Sequence, residues 1–289
     1  MLGKVMKYEF RACGRLLLPF FAMALILSGL IRLAFTAAPM VWAPLAELLR
    51  GFATLGGVVV VIALVLFSFA YVVVRFYQSM VTGEAYLSFT LPVKVSTHLT
   101  ARLIVGTVYC LVGILLAVLA AIIIIPGFFA FLTSGSIPVS VSGASESIML
   151  SLADIPAGVL WSVLGMLAAS ALVGTLCNLL YAHVSIAVAP VFTKHRVIGS
   201  IAVYLVLSSI ESILSMLPFL PLFYNIGPTN SDLVNYLSNW MTDNLFTTMG
   251  NLMGPAWVVV GIGLAVNLVF AVIHFFLTKW ALSKKLNLE

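Results

Sequence analysis

The chain alternates long apolar runs with short polar breaks. Runs of about 20 or more apolar residues, the length a helix needs to cross a bilayer core, stand at Leu16–Ala37, Phe52–Val74, Leu103–Phe131, Ala157–Val191, Val197–Leu222 and Pro255–Leu277. The third and fourth exceed the bilayer's need, so they tilt or project beyond it. No alternating pattern of the barrel kind is present, and an open sheet cannot cross lipid because its backbone groups go unsatisfied. The pattern predicts an all-α integral membrane protein with six transmembrane helices.

Composition agrees. Of 289 residues, 63% are hydrophobic and 8% charged, against about a quarter charged in soluble domains. Such a chain cannot cover itself with polar surface. The net charge of +5 is not a nucleic-acid signal, because its distribution encodes topology. Lys4, Lys7, Arg11 and Arg15 precede the first run; Arg75, Lys94 and Arg102 flank the second loop; Lys194 and Arg196 lie in the fourth; Lys279, Lys284 and Lys285 end the chain. In a six-span layout all fall on one side, and Arg32 and Arg50 alone fall toward the other. Glu146, Asp154, Asp232 and Asp243 mark the opposite loops, 132–156 and 223–254, which contain no Lys or Arg. The positive-inside rule then puts both termini in the cytoplasm of a plasma-membrane protein. No cleavage site follows the first run, so no secretory signal is expected.

The polar segments carry finer expectations. In residues 1–15, Leu2, Val5, Met6 and Phe10 share one helical face, with Lys4, Lys7 and Arg11 elsewhere. That pattern suits a short interfacial helix facing anionic headgroups. In loop 223–254, Leu233, Tyr236, Leu237, Trp240, Met241, Leu245 and Phe246 repeat at helical spacing, predicting short outer helices between spans five and six. The loop 132–156, rich in Ser and Gly, shows no helical pattern and reads as an irregular cap. The loop 75–102 contains TGEAYLSFTLP, Thr82–Pro92. Thr82 suits a helix N-cap, Glu84 the first turn, and Pro92 disfavours helix at Leu91. Tyr86, Leu87 and Phe89 then form either a docking knob or a fold-back onto the bundle.

Candidate chemistry inside the spans is sparse. Glu211 lies about 22 Å from Arg196 along its helix, and Ser208, Glu211, Ser212 and Ser215 form one polar stripe. Arg32 lies about 25 Å from Arg15. The matching depths suggest an Arg32–Glu211 pair, acting as an outer gate or as a structural bridge. His183, His195 and His274 fall toward the basic ends of spans and read as interfacial, and His98 falls in the basic loop. Neither HxxxH nor HExxH is present, and no metal, cofactor or catalytic constellation is expected on this chain. Cys13, Cys110 and Cys177 show no CxxC spacing and read as small apolar fillers. Small residues at Gly158, Ser162, Gly165, Ala169 and Gly174 on span four, and at Gly106, Cys110 and Gly113 on span three, permit close helix approach.

Two stretches, LGKVMKYEFRACGRLLLP and GEAYLSFTLPVKVSTHLTARLI, resemble the membrane subunits of ABC-2 type ABC transporters, in particular the short six-span permeases of the Firmicutes type. The likeness covers residues 1–105; beyond them only span count and loop lengths agree. Gly83 departs from the acidic residue common there. The resemblance implies that residues 1–15 form an elbow helix ahead of a transmembrane domain 16–289. It implies that Glu84, Tyr86, Leu87, Phe89, Thr90 and Leu91 belong to a cytoplasmic coupling helix seated on an ABC ATPase. It further implies two ATPase subunits and a second permease copy or paralogue as partners, besides membrane lipids. No G-x-x-x-x-G-K-[ST] motif is present, so ATP and Mg would reside on the partner ATPase and this chain would not itself be an enzyme. The expected function is ATP-driven export of an amphipathic substrate: a peptide, antibiotic, lipid or glycoconjugate. The alternatives are a non-transporting immunity or sensor subunit and a secondary transporter.

Overall fold

The computed structural model describes residues 2–80, 95–125, 136–140, 147–151, 157–192, 196–216 and 245–284. Its main elements are α1 (Leu2–Ala37), α2 (Ala43–Met80), α3 (Val95–Ile124), β1 (Ser136–Ser140), β2 (Ser147–Ser151), α4 (Ala157–Phe192), α5 (Arg196–Met216) and α6 (Leu245–Lys284). Six of these helices are long and apolar enough to cross a membrane, so the chain is a multi-pass membrane protein. At about 1.5 Å per residue, the 36 residues of α1 reach about 54 Å, well beyond a hydrocarbon core of about 30 Å.

Several boundaries differ from those the sequence suggests. The interfacial segment and first span form one unbroken helix, because nothing between Arg11 and Leu18 interrupts helical hydrogen bonding. Pro19 is the first residue able to do so. Its missing N–H leaves the carbonyl four residues earlier, that of Arg15, without its helical donor. The connection after α1 is a single 3₁₀ turn, Ala38–Met40, with Pro at its start. Helix α2 begins nine residues before Phe52, and the Trp42 carbonyl accepts from the Ala46 N–H at 2.9 Å. Within that added length Arg50 pairs with Glu47 at 3.0 Å, so one of the two bases on the wrong side of the charge pattern is neutralised locally.

The loop 132–156 contains a two-stranded antiparallel hairpin, where an irregular cap was expected. Ser136 pairs with Ser151 and Ser140 with Ser147. Both strands put an apolar triplet between serines and include β-branched Ile137, Val139 and Ile148, which favour extended backbone. Pro138 is tolerated because each strand of a two-stranded ribbon has an unpaired edge. Likewise α6 starts at Leu245, so the last part of the expected outer helical segment is continuous with the sixth span. The remainder of that segment, 223–244, lies outside the described residues.

The chain divides into two compact units, Met1–Leu152 and Ala153–Asn287. In the first, α1, α2 and α3 pack mutually around Leu17, Leu64, Phe76, Leu99 and Val105, all at most 2% exposed. Gly113 sets the closest approach of α2 and α3: a Cβ there would lie 2.5 Å from Ser68 Oγ and 3.2 Å from the Leu64 carbonyl oxygen. Such separation is the use of small residues where lipid supplies no hydrophobic drive between helices. In the second unit α4 packs against both α5 and α6, and its stretch Leu179–Ala187 is buried throughout. Of the small residues on span four, Gly165 sits beside the Trp257 ring, which a Cβ there would meet at 3.4 Å, whereas Gly158 and Gly174 face open space.

Candidate functional site

The most developed polar site lies at one end of the first unit. Glu9 stands near the start of α1, Arg75 near the end of α2 and Arg102 two turns into α3. Arg102 Nε donates to Glu9 Oε1 at 3.0 Å, and Arg75 Nε lies 3.8 Å from Glu9 Oε2. One carboxylate thus gives one oxygen to each guanidinium. The Glu9 and Arg102 side chains are 11% and 9% exposed, and that of Arg75 is 30% exposed. A carboxylate this dry is tolerable only because it is paired and hydrogen-bonded.

The rest of the site locks α1 onto α3. The Tyr109 hydroxyl donates to the Phe10 carbonyl at 2.8 Å, and the two rings lie 5.7 Å apart. Gly14 makes room for that hydroxyl, since a Cβ there would come within 2.7 Å of it. Cys13 is buried on the same face of α1. His98, expected in a basic loop, is instead in the first turns of α3, because helix resumes three residues after Pro92. It is 4% exposed, and neither ring nitrogen has a hydrogen-bond partner among the described residues.

These three helices end where the segment 81–94 leaves α2 and returns into α3. The candidate coupling residues Glu84, Tyr86, Leu87, Phe89, Thr90 and Leu91 lie outside the described residues. The structure describes the helices that flank them: Arg75 is five residues before the end of α2 at Met80, and both flanking helices meet at Glu9. The sequence contained a sign of this, a lone carboxylate amid the bases of residues 4–15, but nothing in it pointed to Arg102, 93 residues away.

A second polar cluster lies in the second unit. Glu211 on α5 is 4% exposed and His274 on α6 is 5% exposed, with Glu211 Oε2 and His274 Nδ1 3.9 Å apart. Tyr181 on α4 meets the His274 ring edge-on, centroids 4.9 Å apart at 84°. Neither Glu211 carboxylate oxygen reaches a donor at hydrogen-bonding geometry among the described residues. His274 is thus packed inside the unit against Tyr181 and Glu211. It lies ten residues, about 15 Å, before the end of α6 at Lys284. His183 is likewise fully buried.

Within its own unit Glu211 has His274 as its ionisable neighbour; Arg32 belongs to the first unit, in the last turns of α1. The serine stripe is occupied locally. Ser208 Oγ donates to the Leu205 carbonyl at 3.1 Å and Ser212 Oγ to the Ser208 carbonyl at 2.7 Å, while the side chain of Ser215 is outside the described residues. Cys110 and Cys177 are buried, and both are free thiols. Among the described residues no group of three or more His, Cys, Asp or Glu side chains has metal-site geometry. Comparison with protein-family models, curated proteins and solved structures finds no match to this chain.

Proposed function

We propose that the chain is the membrane-spanning permease subunit of an ATP-driven ABC-2 type exporter, with both termini in the cytoplasm, working with a second permease and two separate ATPase subunits. The Glu9–Arg75–Arg102 cluster is the observation that carries this reading. A segment that takes force from a cytoplasmic partner must be fixed to the helices it moves. Here the helices on both sides of 81–94 are tied to each other and to α1 through one buried carboxylate. A push on the segment is thus transmitted to three spans together, as a rigid-body displacement requires. The resemblance of residues 1–105 to the family supports the identity of the partner, and the sorted basic charges support the orientation. The substrate would be amphipathic, since charges are scarce along the spans.

The test is co-purification with candidate ATPases, followed by ATP hydrolysis. Glu84→Ala and Tyr86→Ala are expected to abolish association. Glu9→Gln is expected to leave association in place but to lower permease-stimulated hydrolysis. If no ATPase co-purifies with the native chain, the reading fails.

One observation favours a second reading, secondary transport on an ion gradient. The Glu211–His274 pair is a buried ionisable cluster of the kind that marks ion pathways. Substrate movement in ATP-free vesicles, driven by an imposed pH gradient and lost in Glu211→Gln, would select it over the first.

A further inference from the structure

We infer that Glu211 and His274 form a proton-binding site in the second unit, in which one proton taken from water sits on the Glu211 carboxyl group and is donated to His274 Nδ1. Such a site follows from the geometry of the pair alone, so it holds whether transport is driven by ATP or by an ion gradient.

Glu211 and His274 come from different helices, and both are more than nine-tenths buried. Neither Glu211 oxygen nor His274 Nδ1 has a hydrogen-bond partner among the described residues, and Oε2 lies 3.9 Å from Nδ1. The imidazole is held in place from two sides. Tyr181 meets it edge-on, and Phe270 stacks on it with centroids 6.3 Å apart at 24°. One turn before Tyr181 on α4, Cys177 Sγ donates to the Asn267 carbonyl of α6 at 3.4 Å, which pins the two helices along the same seam. Two bases therefore face each other across a gap slightly too wide for a direct hydrogen bond.

That gap selects the ligand. A buried carboxylate with neither a donor nor a counter-charge is costly. One proton turns the carboxylate into a neutral acid, and its O–H reaches Nδ1 once the pair closes by about 1 Å. Two neutral groups are also cheaper in an apolar interior than a carboxylate beside an imidazolium. A bridging water would leave the negative charge in place. A bound zinc ion needs three or four protein ligands, and no such group occurs among the described residues. The surrounding helices offer no cation in its stead. Helix α4 contains no Asp, Glu, Lys or Arg, and its titratable groups along this seam are Cys177 and Tyr181. His183 stands about 200° round α4 from Tyr181. On α5, Arg196 is about 22 Å from Glu211 along the helix, and the Tyr204 hydroxyl lies 3.5 Å from Asn178 Oδ1. On α6, Lys279 stands about 140° round the helix from His274, and Lys284 is about 15 Å further along it.

The experiment uses the full chain purified in neutral detergent, with the C=O stretch of protonated carboxyl groups followed by infrared difference spectroscopy through a pH titration. The native chain should show a protonated-carboxyl band that Glu211→Gln lacks. His274→Phe, which keeps a ring and removes Nδ1, should weaken proton binding at that band at least about tenfold, the coupling expected of a shared site. If that variant is not monodisperse, the native chain labelled at its histidine ring nitrogens replaces it, and one histidine signal should shift with the same pH midpoint as the band. Replacing choline by sodium or potassium at fixed ionic strength should leave the midpoint where it was. The proposal is overturned if native and Glu211→Gln spectra agree throughout the titration, or if His274→Phe binds the proton within about twofold of the native chain. Histidine signals that all titrate apart from the band overturn it as well. A midpoint that moves with sodium or potassium also overturns it, since the site would then take an alkali cation.

Discussion

Glu9→Gln tests the anchorage most directly. The substitution keeps size and removes the charge that two guanidiniums share. At 3.0 Å and an effective dielectric near 20, the Arg102 contact corresponds to about 5 kcal/mol of attraction. The Arg75 contact at 3.8 Å adds less, because Arg75 is 30% exposed and partly screened. Desolvation offsets much of this, so the net cost of leaving the buried Arg102 without its carboxylate is about 3–5 kcal/mol. For a unit of about 150 residues that corresponds to a fall of at least about 6–12 °C in melting temperature. The assay is reversible unfolding in mixed micelles for Glu9→Gln, Arg102→Gln and the double variant. The double variant should be less destabilised than the two single costs added together, because removing both charges leaves no orphan. A Glu9→Gln variant within about 0.5 kcal/mol of the native chain, or strictly additive costs, would refute the claim that this cluster holds the three helices.

Gly113→Ala should cost about 1–3 kcal/mol, since its Cβ meets Ser68 Oγ and a backbone carbonyl, and Ser68→Gly should recover part of it in the same unfolding assay. Gly174→Ala, in open space, should be neutral or stabilising by up to about 1 kcal/mol from helix propensity; a loss comparable to that of Gly113→Ala would mean that another surface packs there. Tyr109→Phe should cost about 0.5–1.5 kcal/mol for the hydrogen bond to Phe10, measurable as a lowered melting temperature with membrane insertion unchanged. Glu211→Gln should leave stability near that of the native chain, because the carboxylate has no well-formed hydrogen bond to lose; a large destabilisation would show that the charge itself holds α5 to α6.

The spans were legible because each is a local matter. About 20 apolar residues in lipid must close their own backbone hydrogen bonds, and no distant residue alters that. Helix ends were less legible. The elbow and first span fused because the residues between Arg11 and Leu18 contain no breaker, and α2 began early because Pro44 is as welcome in a first turn as in a loop. The hairpin in 132–156 was missed because two triplets flanked by serine resemble loop composition. The burial of His183 and His274 was not legible, for a different reason. Closeness in sequence to a basic end does not say which helix a side chain packs against, and α6, which runs to Lys284, sets His274 against Glu211 of α5 and Tyr181 of α4.

By itself, then, the sequence determined a multi-pass helical protein with its basic charges gathered on one set of loops, since segment hydropathy and charge bias act along the chain. Only the tertiary structure decided which buried charges meet. Glu9 finds Arg102 and Arg75 because a charge withdrawn from water must be answered across helices by whatever packing brings within about 4 Å, and packing likewise sets Glu211 beside His274. Packing contacts carry no signature in sequence spacing.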